Sequence, residues 1–238
     1  MTITARDDTI TIPDGELAAH IAIPESGSGP GILLLHEIFG VNVYIEDNAR
    51  RLAELGYVVL APDLFWRVLP GHRIDVHDED GVKGGMAAVS QLDAPQAGLD
   101  AVAALDVLHA MPEVAGGRTG VLGFCLGGTL SYLVAVHGQP DVAVVYYGSG
   151  IADMLDAAAA IECPMLMHWG GADPFIPREQ VDAVVAMAAG NDRIECHVYE
   201  GAGHAFDNHH SAQFHNPDAA AQAWERTAAF LTRELPPG

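Results

Sequence analysis

The chain has 238 residues, half of them apolar, and carries 11 Lys and Arg against 32 Asp and Glu, a formal net charge of −21. Such a chain can bury a core without disulfides or metals, and its sparse cations speak against binding to nucleic acid or to anionic membrane surfaces. Regular apolar runs speak against disorder, and none approaches the ~18 residues that a membrane span needs. The opening Met1–Asp8 has neither the basic nor the apolar region of a secretory leader. Cys125, Cys163 and Cys196 lie far apart and form no CxxC pattern. The expectation is one domain over 1–238, in the cytoplasm, with free thiols available for chemistry.

Residues 9–23 alternate apolar and polar around Asp14-Gly15, which predicts an antiparallel N-terminal hairpin. Ile32-Leu33-Leu34-Leu35 is a continuous apolar run, the mark of a strand buried on both faces. Helical spacing over 43–55 stops at Gly56, and a second buried strand covers 57–61. The alternation continues as helix 95–110, strand 118–123, helix 126–137, strand 142–147, a short helix near 151–160, strand 164–169, helix 178–189, strand 193–199 and helix 218–234. Strands alternating with helices imply βαβ units, hence an α/β fold with a mostly parallel sheet and helices on both faces. The stretch 62–94 is rich in Pro, Gly, Asp and His. It reads as an irregular, lid-like loop region, too long for a plain connection.

Gly123-Phe124-Cys125-Leu126-Gly127-Gly128 falls between a strand and a helix. A nucleophile on so tight a turn needs tiny neighbours two residues away on each side. The turn also aims the helix's positive end and the backbone N–H of Leu126 at the reacting atoms. In folds with such a turn the acid and then the base follow in the chain. Asp173 stands just after strand 164–169 and His204 just after strand 193–199. All three lie at strand C-terminal ends, where parallel sheets bind ligands. His204 would move the thiol proton and Asp173 would hold its tautomer. His36-Glu37-Ile38-Phe39-Gly40 follows strand 32–35, where the Ile38 N–H can act as the second oxyanion donor.

Glu37-Ile38-Phe39-Gly40-Val41-Asn42, Pro62-Asp63-Leu64, the Gly-x-Cys-x-Gly-Gly turn, Tyr146-Tyr147-Gly148, Gly171–Asp173 and Ala202-Gly203-His204 together resemble the dienelactone hydrolase (carboxymethylenebutenolidase) family. The resemblance spans nearly the whole chain. It implies an α/β-hydrolase fold, a Cys125–His204–Asp173 triad and no cofactor. It further implies that Glu37 gates the thiolate and that an enol lactone is cleaved through an acyl-cysteine. The family holds its substrate's carboxylate with two arginines, whose positions here read Asn208 and Val82. Lys83 is adjacent, and Arg67 and Arg73 are the other cations of the 62–94 stretch. Family pocket positions for Tyr and Trp read Met86 and Val89. The expected pocket is therefore Phe39, Val82, Lys83, Met86, Tyr146, Phe206 and Asn208, suited to an uncharged ester or lactone.

His204, His209, His210 and His215 crowd one loop, at a spacing that matches no metal motif. No metal is expected, and the remaining histidines read as solvated. Two other readings compete with the hydrolase: a thiol-redox protein using Cys125, and a non-catalytic binding module. The expected partner is a small ester or lactone, and the expected state a monomer or small homo-oligomer.

Overall fold

The structure, a computed structural model, describes residues 2–75 and 78–237. Strands β1 (Thr4–Ile12) and β2 (Gly15–Ile23) form the expected hairpin, turning at Pro13-Asp14. β2 pairs antiparallel with β4 (Val58–Pro62), and every later pairing is parallel. With β3 (Gly29–Leu35), β5 (Val114–Phe124), β6 (Val142–Tyr146), β7 (Met165–Gly170) and β8 (Ile194–Tyr199), the sheet has eight strands in the order β1-β2-β4-β3-β5-β6-β7-β8. β3, β4, β6 and β7 are buried along their whole length, which is why their sequences run apolar without alternation.

Crossovers give this sheet two helical layers. β3 leads through α1 (Val43–Glu54) to β4 on one side, while later connections step the other way. Right-handed crossovers in opposite directions put their helices on opposite faces. α3 (Ala94–His109), α4 (Leu126–His137), a 3₁₀ helix (Ile151–Ala160) and α5 (Arg178–Ala189) form one contiguous layer. α1 and α6 (Pro217–Glu234) cover the other face, where the Arg51 guanidinium lies 3.8 Å from the Trp224 ring.

Helix starts follow from local chemistry. Asn42 accepts from the Ile45 N–H, Asp93 from Gln96 and Asn216 from Ala219. Pro95 and Pro217 occupy first turns, where a missing N–H costs nothing.

The 62–94 stretch is more ordered than its composition predicts. It contains α2 (Glu79–Val89), capped by Asp78, whose side chain accepts from the Gly81 N–H. Gly81, Gly84 and Gly85 obscure the helical signal in the sequence, because glycine carries a poor helix propensity. Gly85 is required by contact: a Cβ there would lie 2.7 Å from the Ile38 side chain. Val76 and His77, within this stretch, lie outside the described residues, as do Met1 and Gly238.

The turn between β5 and α4 is equally constrained. A Cβ on Gly123 would stand 2.1 Å from the Gly127 carbonyl oxygen, and one on Gly127 2.1 Å from that of Leu35. Gly123→Ala is expected to destabilise by about 2–3 kcal/mol through overpacking. Gly201→Ala, at a site where nothing lies within 4 Å of the added Cβ, is expected to stay within roughly 0.5 kcal/mol of the parent. Urea unfolding of the two variants checks both.

Candidate active site

Cys125 follows β5 and caps α4 with φ 53° and ψ −113°, a strained conformation for a residue bearing a Cβ. Its N–H donates to the Tyr146 carbonyl at 3.0 Å and its carbonyl accepts from Thr129 N–H at 3.1 Å, which fixes the turn from both sides. The thiol is directed to His204, with Sγ 3.0 Å from Nε2. His204 Nδ1–H donates to Asp173 Oδ2 at 2.7 Å. The other carboxylate oxygen accepts from the Phe175 and Ile176 N–H groups at 2.8 and 3.1 Å, so Asp173 has little freedom to turn away. Three loops at the C-terminal ends of β5, β7 and β8 thus bring together the three residues expected from chain order.

The surroundings of His204 favour its protonated form. Burial pulls the His204 imidazole down, but the Cys125 charge beside it and the Asp173 hydrogen bond outweigh burial and raise it to about 10. The ring is held between Tyr147 and Phe175, each with its centroid 5.3 Å away. An imidazole this close to a thiol is placed to exchange a proton with it.

The Ile38 and Leu126 N–H groups, expected from the sequence as oxyanion donors, flank the Cys125 turn. Among the described residues, the turn and cap hydrogen bonds give neither the Ile38 nor the Leu126 N–H a partner. Gly127 N–H donates to the His36 carbonyl at 3.0 Å and ties the Ile38 loop to the start of α4. His36, at the head of this loop, bonds at both ring nitrogens. Leu64 N–H donates to its Nε2 at 3.0 Å, which makes Nδ1 the protonated nitrogen, and Nδ1–H donates to the Glu37 carbonyl at 2.6 Å. Burial lowers the His36 imidazole to about 4, so it stays neutral and holds one tautomer.

Glu37 is buried. Asn208 Nδ2 donates to its Oε2 at 2.7 Å, and the Asn208 amide is oriented by its own Oδ1 accepting from His210 N–H at 3.1 Å. Glu37 Oε1 has no hydrogen-bond partner among the described residues. Burial pushes this carboxyl up to about 7; nearby Asp207 adds to the push, and the Asn208 hydrogen bond and the His204 charge work against it.

Above Cys125 and His204 is a cavity of about 280 Å³ with an apolar wall of Ile38, Phe39, Val82, Met86, Phe175 and Phe214. Of the expected pocket, Phe39, Val82 and Met86 line it. Lys83, Tyr146, Phe206 and Asn208 do not. α2 turns Val82 and Met86 inward at a spacing of i, i+4, which sends Lys83 out to solvent beside Asp80. Tyr146 is enclosed under the turn, with its hydroxyl on Thr227, and Phe206 is buried against Tyr147 and Tyr199. Asn208 acts behind the wall, on Glu37. Phe175 and Phe214 were missed. Phe175 carries a sequence signal, an aromatic two residues beyond Asp173; Phe214, ten residues past His204, carries none.

The remaining cations are engaged elsewhere. Arg67 binds Asp14 and Asp100, and Arg73 binds Glu46 and Asp75. Cys163 and Cys196 are free thiols pushed up to about 11 by burial.

A sheet of this order, with Cys125 on the turn after β5, Asp173 after β7 and His204 after β8, has the architecture of an α/β-hydrolase. The family model of the dienelactone hydrolases matches residues 17–235. The carboxymethylenebutenolidase of Pseudomonas sp. strain P51 is 34% identical over 224 residues, 94% of this chain and 93% of that protein. The carboxymethylenebutenolidase of Pseudomonas putida is 34% identical over 213 residues, 90% of this chain and 89% of that one. A solved dienelactone hydrolase-like promiscuous phosphotriesterase from metagenomic libraries superposes with a TM-score of 0.81 at 25% identity, over 98% of each chain. The chain belongs to the dienelactone hydrolase family, and it is a hydrolase.

Glu37 sets a pH dependence. Its folded-state value of about 7 lies above its ordinary 4.5. The stability tied to its proton is therefore complete below pH 4.5 and lost as pH rises through 7. Glu37→Gln keeps a neutral amide there and escapes the loss. Its stability relative to the parent is expected to improve by roughly 3 kcal/mol between those limits and to level off above them, as read from urea unfolding at pH 5 and pH 8.

Proposed function

We propose that this hydrolase cleaves uncharged carboxylic esters and lactones through an acyl-cysteine at Cys125. The observation that carries this reading is the line Cys125–His204–Asp173, at 3.0 and 2.7 Å, opening into a cavity with no Lys or Arg among the described residues that line it. The Cys125 thiolate attacks the substrate carbonyl carbon, and the carbonyl oxygen takes the charge between the Ile38 and Leu126 N–H groups. The tetrahedral intermediate collapses and breaks the acyl–oxygen bond. His204 gives its Nε2 proton to the leaving alkoxide, and in a lactone that alkoxide stays tethered to the acyl group. His204, now neutral, takes a proton from water; the hydroxide attacks the thioester and the carboxylic acid leaves, with Cys125 returned as thiolate and His204 as imidazolium.

Asn208 and Glu37 support an uncharged substrate. A neutral amide cannot offer an anion the charged, forked contact of an arginine. It also leaves Glu37 near half protonation at neutral pH, so the carboxyl repels the neighbouring thiolate less than a full charge would. The net charge of −21 adds long-range repulsion of anionic substrates.

Cys125→Ala is expected to lower turnover of p-nitrophenyl acetate by ~10⁴–10⁶ while leaving the fold intact. Cys125→Ser is expected to be nearly as poor, since serine is harder to ionise at a site arranged for thiolate. Iodoacetamide is expected to abolish turnover; alkylation without any prior turnover would favour the redox reading, and neither alkylation nor turnover the binding module.

Substrate charge is tested separately, by kcat/KM for a carboxylated lactone and for its methyl ester. The ester is expected to be at least about tenfold better, as fits the loss of a charged contact worth a kcal/mol or more. A preference for the free acid that weakens with salt would show a cationic clamp and overturn the uncharged-substrate reading.

A further inference from the structure

The loop after His204 carries two adjacent histidines that the hydrolytic site does not use, and the fold brings a carboxylate to them. His210 Nε2 lies 2.8 Å and His209 Nε2 3.4 Å from the same oxygen, Asp47 Oδ2, on α1. The three potential ligand atoms all lie within 4.8 Å of one another. A tetrahedral ion with bonds of about 2.0–2.1 Å spaces its ligand atoms about 3.3 Å apart. The two observed separations from the carboxylate, 2.8 and 3.4 Å, fall on both sides of that figure.

We propose that Asp47, His209 and His210 form a binding site for one divalent transition-metal ion of the zinc class. Two imidazoles and one carboxylate are borderline donors, which favour zinc and its neighbours over the hard ions magnesium and calcium. The side chains are held from behind. Arg50 occupies the other oxygen of Asp47 at 3.2 Å and leaves Oδ2 to face the imidazoles. The His209 ring meets the edge of Tyr44, with centroids 5.6 Å apart, and His210 N–H is fixed by Asn208 Oδ1. Each of the three side chains is about a third exposed, which leaves a path for the ion and room for water to complete its coordination. The protein's net charge of −21 concentrates cations around it.

The ion would join two parts of the molecule that both serve Cys125. His209 and His210 follow directly on Asn208, which holds Glu37. Asp47 is on α1, whose N-cap, Asn42, lies four residues beyond Ile38. A bound ion pins the His204 loop to α1, and its expected signature is a rise in thermal midpoint.

The test uses protein free of an affinity tag, in the Cys125→Ala background, because a thiolate beside an imidazole could itself capture zinc. Zinc chloride is titrated in competition with a chromophoric chelator, and thermal unfolding is followed with and without zinc. Cys125→Ala is expected to bind one equivalent and to unfold at a higher temperature with zinc. Adding Asp47→Asn, His209→Gln or His210→Gln is expected to weaken binding at least tenfold and remove the thermal shift, with circular dichroism unchanged. Magnesium chloride is expected to produce no shift. Absence of binding in Cys125→Ala, binding that survives all three further substitutions, or an equal response to magnesium would each overturn the assignment. None of these outcomes depends on which ester is cleaved.

Discussion

Gly127 approaches β3 so closely that its N–H donates to the His36 carbonyl and no side chain fits between them. That contact orders the rest of the reactive face. It brings the end of β3 against the first turn of α4, so the two N–H groups suited to an oxyanion, on Ile38 and Leu126, come from segments nearly ninety residues apart in the chain yet converge. It leaves Cys125 a left-handed φ that only a heavily bonded turn sustains. The base and acid then need only reach Cys125 from neighbouring strand ends. Their loops are secured by hydrogen bonds, above all the two backbone N–H groups that clamp Asp173.

A second constraint is the acid buried behind this face. Glu37 and Asp207 are both enclosed, and burial raises both carboxyls. Tyr44 donates to Asp207 at 2.7 Å, and Arg51 stands 3.9 Å from it. Glu37 has a neutral amide instead of a cation. The contrast separates two uses of a buried carboxyl. The Asp207 carboxyl faces a hydroxyl and a guanidinium that also lies over Trp224. The Glu37 proton is exchangeable near neutrality, in the cavity that Cys125 also lines.

How far the sequence could be read depended on whether the signal was local. Cys125, Asp173 and His204 were legible because strand–turn–helix order alone places them, and the glycines around Cys125 announce a close approach. The buried strands were legible from unbroken apolar runs such as Ile32–Leu35. α2 was not, since three glycines within it mimic a loop and its cap, Asp78, gains meaning only when its side chain is seen on Gly81. Lys83 was placed in the pocket because it neighbours Val82 in sequence, but adjacent residues on a helix point about 100° apart. Asn208 was read as lining the cavity when it stands one layer behind, a distinction that only depth from the surface reveals. Asp47 carried no signal at all, being 163 residues from His210.

The contact of Gly85 with Ile38 separates what can vary from what cannot. α2 supplies Val82 and Met86 to the cavity wall and touches the oxyanion loop through a residue with no side chain. New side chains at the two wall positions would reshape the space offered to a substrate and leave the reacting groups on the other loops undisturbed. A side chain at Gly85 would press directly on the backbone that must receive the oxyanion. The cavity wall and the turn at Ile38 are thus set by different residues of one helix, the first by side chains and the second by the lack of one.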